Sequence, residues 1–516
     1  MKKNIGFLIF ILVLVALILL TYKDYGVAWD EKIFFNTGKY FLAKLLDFFH
    51  IANNLDLQGY VPTPYHLAGH GILYDLLIVS STILLRSFSF ETLHLLKALF
   101  ALPIFLFVYL IVRKLLNQRL ALFAVVLLLF FPRFYADMFT NAIDIPTAVF
   151  FSLNIWFFIY YLKSKQSYLK DILFGLVLAT AVTHRLVLFY LYGINFIFIL
   201  AYLYFEKKLE LRNFIIKQIV IFASLIFFLH LFHPLLLTKP ITGFIDLINL
   251  TEKYPWNASV LFHGKWYQAG VNPLPWYYIP KSILITIPIV TLVLFFIGNV
   301  RLFQICLINK KNNFLKIVFF YLLSVFYLPF IITFILKPTL YDSWRHYLFL
   351  TIPMVIFATF GLDLILNLKS TPIKSGSKIL KSAILVIIFA SFIMTGREMI
   401  VLHPYEYMFY NSLTGGLKGA YGKYETDYWG LGYKDATLWF NKNINDSKKQ
   451  YKILVEGDPL SSSYYFKPNM QLTINEAEAD YIFTFTRWNF HVRHPGTTIY
   501  TVQREGVPLI FIKKTR

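Results

Sequence analysis

Two adjacent carboxylates, Asp30 and Glu31, lie near the start of the chain, shortly after a long apolar run. A carboxylate beside another carboxylate and an apolar wall should have a raised pKa, closer to that of a working general base. The same pair could bind a divalent cation, since carboxylate oxygens are preferred ligands of such ions. An ordinary solvated loop is the alternative, and residue spacing alone slightly favours it.

A third acid, Asp144, belongs to the string Asn141-Ala-Ile-Asp-Ile-Pro146, which opens another apolar run. Asp144 could take part in catalysis. It could also only cap a helix, because a proline in the first turn and an acid at the start are both common at helix N-termini.

Basic residues stand at the ends of two further apolar runs, namely Arg185 and the pair Arg345-His346. A guanidinium presents paired donors that match phosphate oxygens, so these residues are candidates for binding a phosphate. Alternatively, an arginine at a membrane boundary only extends its charge toward lipid headgroups.

Long apolar runs must position these residues. A helix needs about 20 mostly apolar residues to cross a bilayer. The sequence contains eleven such candidates: 5–22, 93–112, 120–132, 145–162, 169–183, 186–205, 214–237, 282–300, 314–336, 347–366 and 379–395.

The composition agrees with a membrane protein, since 58% of the residues are hydrophobic and only 15% are charged. This excludes a disordered chain, and it argues against a soluble nucleic-acid binder despite the net charge of +21. The single cysteine, Cys306, excludes an internal disulfide, a cysteine-based zinc site and an iron–sulfur centre.

The distribution of basic residues predicts the orientation. With the N-terminus in the cytoplasm, the inner connections hold 20 Lys and Arg against three acids. Basic residues are retained on the cytoplasmic side during insertion, so this asymmetry predicts that the C-terminus lies outside. The external loops are then 23–92 and 238–281, and the short apolar segment 72–85 is predicted to lie at the interface without crossing.

The sequence therefore predicts an α-helical polytopic membrane protein with about eleven transmembrane helices and a small extracytoplasmic α/β domain. Residues 1–400 form the transmembrane domain. Residues 401–516 form the α/β domain, because this stretch is more polar and holds short β-rich runs at 451–456, 481–485 and 509–513.

These features resemble the GT-C glycosyltransferases, and within them the dolichyl-phosphate-mannose protein mannosyltransferases and their bacterial relatives, which include the aminoarabinose transferases. The resemblance rests on the early pair Asp30-Glu31, on an interfacial helix in the first external loop and on the Asn141 to Pro146 string. Arg185 and the run around Arg345 also stand where bacterial relatives carry basic residues.

The resemblance implies transfer of a sugar from a polyprenyl-phosphate donor to a hydroxyl of a protein, glycan or lipid acceptor, outside a bacterial plasma membrane. Asp30 would be the general base, and inversion at the anomeric carbon would follow from direct displacement. Glu31 and Asp144 would position the acceptor or a divalent cation. Arg185, Arg345 and His346 would hold the donor phosphate.

A lipid or solute transporter or flippase is the main alternative. Transporters often show related halves and charges at mid-depth, whereas this chain shows no repeat and its notable charges gather on one face. A scaffold protein is a third alternative, but it would leave the embedded acids without a role.

Overall fold

A computed structural model describes residues 4–515 except 54, 58, 166, 253, 255, 269–270, 309–311 and 368–375. Helices make up most of the structure before residue 402. They are α1 Ile5–Thr21, α2 Glu31–Phe48, α3 Pro64–Gly69, α4 Leu73–Leu84, α5 Phe90–Phe100, α6 Leu102–Leu115, α7 Gln118–Leu129, α8 Pro132–Thr140, α9 Asp144–Lys163, α10 Tyr168–His184, α11 Tyr190–Phe205, α12 Leu211–Phe232, α13 Pro234–Thr238, α14 Thr242–Glu252, α15 Tyr278–Thr286, α16 Ile289–Ile308, α17 Asn313–Leu336, α18 Thr351–Asn367 and α19 Gly376–Leu402.

A helix stands at each of the eleven predicted apolar runs. Within the described residues, eight helical segments are long and apolar enough to cross a membrane, or nine if the bent pair α7 and α8 forms one span. Helices α1 and α10 have 17 residues each, slightly fewer than a full crossing needs. The chain is a multi-pass membrane protein, and the count of eleven spans stays a prediction.

The predicted run 282–300 differs from the structure, which divides this region between α15 and α16. Ile287 is extended between them, with ψ of 140°. Pro288 follows Ile287, and a proline disfavours the helical conformation of the residue before it. Hydropathy does not reveal the break because both sides of it are apolar.

The segment 23–92, which was predicted to be the first external loop, contains helices α2, α3 and α4 and the start of α5. Helix α4 covers the short apolar segment and packs against α2, where Gly38 lies so close to Asp75 and Val79 that an added Cβ would come within 2.9 Å of each side chain. The position of α4 at a membrane interface stays a prediction.

The C-terminal region combines helices with a five-stranded sheet. Its elements are α20 Gly416–Ala420, α21 Gly432–Asn443, β3 Tyr451–Val455, α22 Leu460–Ser463, β4 Met470–Leu472, β5 Tyr481–Phe485, α23 Phe490–Arg493, β6 Thr497–Arg504 and β7 Val507–Lys514, whereas β1 Ser259–Phe262 and β2 Lys265–Gln268 form a separate hairpin. The strand order is β4-β3-β5-β7-β6, with parallel pairs around β3 and antiparallel pairs around β7. The three predicted β-runs coincide with β3, β5 and β7, which confirms the α/β character of this region.

This C-terminal region contacts the parts of the chain that connect the membrane helices. The indole of Trp488 donates to the carbonyl of Ser259 at 2.7 Å, and the backbone N–H of Trp29 donates to the carbonyl of Trp429 at 3.2 Å. A functional site can therefore draw side chains from both regions. The domain boundary at residue 400 stays a prediction.

Candidate functional site

Three of the predicted site residues are joined at the buried carboxylate of Asp144, the first residue of α9. Arg185, which directly follows α10, pairs with Oδ1 of this carboxylate. Arg345, just before α18, donates from Nη1 to Oδ2 at 3.3 Å, and the Asn141 amide donates to the same oxygen at 2.9 Å. The structure thus brings together acids and arginines that lie up to 201 residues apart in the sequence.

The Asn141 to Pro146 string explains how Asp144 is held. The side-chain oxygen of Asn141 accepts from the backbone N–H groups of Ile143 and Asp144, at 3.1 and 2.8 Å. Asn141 therefore provides the local turn at the start of α9. The carboxylate of Asp144 is left to face the two guanidinium groups, and because all its described contacts stabilise the ionised form, it acts as a charge partner.

Arg345 is the first of two guanidinium groups that share the carboxylate of Asp342. Its Nε donates to Oδ2 of Asp342 at 3.1 Å, and Arg487 pairs with Oδ1 of the same group. Asp342 has a left-handed backbone conformation, with φ of 55°, which is uncommon for a residue other than glycine. Beyond Arg487 lies Glu425, whose Oε1 is 3.6 Å from Nη2. Acids and arginines thus alternate along a row from Arg185 to Glu425.

Aromatic rings cover this row. The guanidinium of Arg345 lies over Tyr341 and Trp429, 4.9 and 4.8 Å from the ring centroids. That of Arg487 lies over Trp488 at 4.5 Å and over Trp29 at 5.5 Å. Such rings attract cations and exclude water, which strengthens the electrostatic interactions along the row.

Asp30 lies at the edge of the row, and its carboxylate has no hydrogen bond or ion pair to any described residue. It lines a small cavity together with Trp29, Asn141, Arg345 and Trp429. Burial raises the pKa of the Asp30 carboxyl, although the positive charge of Arg345 opposes this shift. Asp30 also has a left-handed backbone, with φ of 68°. Strained residues are concentrated at functional sites, so this position merits a functional explanation.

Glu31 has the opposite environment, although it is the next residue. Its buried carboxylate pairs with Lys97, accepts from the backbone N–H of Ala28 at 2.7 Å and lies 3.1 Å from His94 Nε2. Burial acts to raise the pKa of Glu31, but the charges of Lys97 and His94 outweigh it and hold this pKa below its usual value. The two predicted acids are therefore distinguished by their partners: Asp30 is available and Glu31 is occupied.

His346 stands next to Arg345, with its ring edge-on to Tyr341 at a centroid distance of 4.6 Å. Asp144 and Arg185 are among its electrostatic neighbours, so this histidine lies within the same cluster. Within the part of the chain that the structure describes, no three His, Cys, Asp or Glu side chains are arranged to hold a metal ion.

Sequence reasoning missed Asp342, Glu425 and Arg487 as members of the site. Asp342 lies three residues before Arg345, and this spacing could have suggested an ion pair. Arg487 and Glu425 lie in the polar C-terminal region, where no local pattern distinguishes them from surface charges.

Fold and site together define a multi-pass membrane protein in which a C-terminal α/β region completes an acid–arginine cluster at the ends of membrane helices. A family model for dolichyl-phosphate-mannose-protein mannosyltransferases matches residues 69–237, about a third of the chain. The match includes Asp144 and Arg185, and over these residues it confirms the resemblance to GT-C glycosyltransferases predicted from the sequence.

Solved structures of similar shape were also found. ArnT from Cupriavidus metallidurans, bound to undecaprenyl phosphate, is 12% identical with a TM-score of 0.48, and the alignment covers 98% of each chain. The oligosaccharyltransferase AglB from Archaeoglobus fulgidus, in complex with an inhibitory peptide and a dolichol-phosphate, is 12% identical with a TM-score of 0.43. That alignment covers 81% of this chain and 61% of AglB. No curated protein matches the chain in sequence.

Proposed function

We propose that the protein transfers a sugar from a polyprenyl-phosphate donor to an acceptor hydroxyl on the extracytoplasmic face of a bacterial plasma membrane. The family match over 69–237 supports glycosyl transfer as the class of reaction. The observation that carries the proposal is the available carboxylate of Asp30, placed beside the arginines of a buried cluster.

Asp30 is the proposed general base. Its oxygen takes the proton of the acceptor hydroxyl while the acceptor oxygen bonds to the anomeric carbon. The bond from that carbon to the phosphate oxygen breaks, and its electron pair stays on the lipid phosphate. Because a phosphate is already a good leaving group, no acid is required to protonate it. Direct displacement inverts the anomeric configuration.

Arg185, Arg345 and His346 are the proposed phosphate-binding residues. The side chain of Arg185 is 22% exposed, and its buried Nε has no hydrogen-bond partner within the described residues. This leaves Arg185 with a donor for an incoming oxygen even while it pairs with Asp144. Preorganised positive groups of this kind stabilise the charge that develops on the departing phosphate.

Asp144 and Glu31 are proposed to position the groups that react. Asp144 holds the two arginines, and Glu31 anchors the first turn of α2 to Lys97, directly behind Asp30. A divalent cation at Asp30 and Glu31 stays a prediction from the sequence, and the proposed acceptor class is a protein, a glycan or a lipid.

Replacing Asp30 tests the proposal. Purified protein is incubated with undecaprenyl phosphate carrying radiolabelled mannose or aminoarabinose and with membrane extract as the source of acceptor. We expect the wild type to consume a donor, and Asp30→Asn to lose about 10²- to 10⁴-fold in rate because general-base assistance is absent. Binding of unlabelled undecaprenyl phosphate should persist in this variant.

Asp246→Asn is the matched control, since Asp246 is a partly exposed acid paired with Lys239 away from the cluster. It should transfer at the wild-type rate. A fully active Asp30→Asn would refute the assignment of the base. If the wild type moves the labelled lipid across vesicles without consuming it, the transporter or flippase interpretation is correct.

A further inference from the structure

A second cavity lies between the β1–β2 hairpin and the C-terminal region, outside the Asp30 cavity. It has a volume of about 150 Å³, and its walls include Trp266, Tyr421, Glu425, Arg487 and His491. A single ordered water occupies about 10–15 Å³ on a comparable scale, so this space is large enough for a small organic ligand.

Three polar atoms on the walls lack a hydrogen-bond partner, although Oε1 of Glu425 lies 3.6 Å from Nη2 of Arg487. They are Oε1 of Glu425, Nε of Arg487 and Nδ1 of His491, all buried and without a hydrogen bond to the described residues. The side chains of Glu425 and Arg487 are 6% and 5% exposed. A buried polar atom without a partner costs about 1–3 kcal/mol, and native proteins contain few of them. Three in one cavity indicate a ligand that both donates and accepts hydrogen bonds.

Aromatic rings supply the remaining surface. Trp266 and Tyr421 are 37% and 36% exposed, respectively, and stand at the margin of the cavity, whereas Tyr428 is buried in its wall. Trp488 and Asn489, beside this cavity, both have left-handed backbones, with φ of 52° and 57°. Two consecutive residues with left-handed backbones cost conformational free energy, and such strain is typical of ligand-binding segments.

The charges of the cavity favour an uncharged ligand. The carboxylate of Asp427 is already used by Tyr407 and by three backbone N–H groups. The charge of Arg487 is opposed by the carboxylates of Asp342 and Glu425. Burial raises the pKa of the Glu425 carboxyl, although the positive charge of Arg487 opposes the shift. The cavity therefore offers hydrogen bonds without an unbalanced charge.

We propose that this cavity binds a neutral sugar ring of a glycan acceptor. The C–H face of a sugar packs on an aromatic ring, and its hydroxyls both donate and accept, which matches Trp266, Tyr421 and the three unpartnered atoms. The assignment to an acceptor rests on the proposed function. Arg487 connects the two cavities, because it lines this one and lies over Trp29, which lines the Asp30 cavity.

Saturation-transfer NMR on the purified full-length protein tests the proposal. The probes are the methyl glycosides of glucose, mannose, galactose and N-acetylglucosamine, titrated to about 50 mM. We expect saturable binding of at least one of them. Trp266→Ala and His491→Ala should each weaken it by about tenfold, because they remove a stacking face and a hydrogen-bond partner.

Trp276→Ala is the control, since Trp276 is 75% exposed on the same loop but does not line the cavity. It should bind like the wild type. No saturable binding of any glycoside would overturn the proposal, as would equal binding by the wild type and both cavity variants. Tighter binding of glucose 6-phosphate or of a serine-containing peptide than of every glycoside would also overturn it.

The measurement needs no turnover and is repeated with Asp30→Asn. Asp30→Asn should bind sugar like the wild type, because Asp30 does not line this cavity. Sugar binding by a wild-type protein that consumes no donor would leave the binding site standing while the proposed transfer fell. Transfer without sugar binding would leave the proposed function standing and remove the glycan subsite.

Discussion

At the scale of single residues, the contrast between Asp30 and Glu31 shows that neighbouring acids can have different roles. Each of these adjacent acids has a basic residue nearby, Arg345 for Asp30 and Lys97 for Glu31. The types of the residues therefore do not tell which acid could be the base. The separation comes from packing, since α5 directs Lys97 and His94 to Glu31, whereas the Asp30 carboxylate makes no hydrogen bond or ion pair to a described residue. A base must be free to accept a proton, and only Asp30 meets this requirement.

Glu425 supports a prediction about the pH dependence of stability. Its carboxyl faces Arg487, Asp342 and Arg345, and burial raises its pKa from 4.5 to about 8. Because the folded protein retains this proton at pH values where the unfolded chain has released it, the contribution of Glu425 to stability falls as pH rises from about 4.5 to 8. Glu425→Gln cannot ionise, so its Tm should exceed that of the wild type by about 2 °C or more at pH 9 and by less at pH 5.

Thermal unfolding in detergent at both pH values measures this difference. Glu478→Gln serves as the control, because the Glu478 side chain is 50% exposed and should change the Tm equally at both pH values. Parallel pH profiles for the wild type and Glu425→Gln would contradict the prediction.

At the scale of elements, the crossing of α16 and α18 depends on two glycines. A Cβ on Gly298 would overlap the carbonyl of Phe357, and one on Gly361 would overlap the carbonyl of Leu294. Small residues let helix backbones approach closely within a membrane. Since α18 directly follows the turn that carries Arg345, this crossing also fixes one side of the site.

We expect Gly298→Ala and Gly361→Ala each to destabilise the protein by about 1–3 kcal/mol, because the helices must separate. Gly193→Ala is the matched control, since Gly193 lies in α11 with no atom within 4 Å of an added Cβ. Thermal unfolding of the three variants in detergent measures the difference. Equal stability of all three would show that the crossing tolerates a methyl group.

The elements themselves were largely predictable, because apolar runs and basic connections are local patterns. The proximity of Asp144, Arg185 and Arg345 was also predictable, since each stands at the end of an apolar run on one predicted face. The contacts of the C-terminal region could not be predicted from the sequence. Arg487 meets Asp342 across 145 residues, and neither hydropathy nor spacing records such a contact. The break at Pro288 was hidden by the apolar residues on both sides.

At the scale of the whole molecule, the proposed function requires that the site and the C-terminal region face the outside. Basic connections predict this orientation. It can be tested with single cysteines, because the natural one, Cys306, is buried and can be replaced by serine. Exposed Ser447 represents the C-terminal region, and exposed Lys208 represents a predicted inner connection.

In cells with an intact plasma membrane, a membrane-impermeant maleimide should label Ser447→Cys in the Cys306→Ser background. It should label Lys208→Cys only after the membrane is opened. The reverse pattern would show that the protein is inserted the other way and that the donor is drawn from the cytoplasmic side.

The bridge from Arg345 through Asp342 to Arg487 affects when the protein becomes active during its synthesis. Arg487 follows α19, the last of the candidate membrane helices among the described residues, so a ribosome produces it after these helices. A nascent chain that has inserted its helices still has only one of the two guanidinium groups that Asp342 binds. In the proposed orientation the cluster is complete only after the segment that carries Arg487 has crossed the membrane, so the proposed sugar transfer is confined to molecules that have translocated this segment.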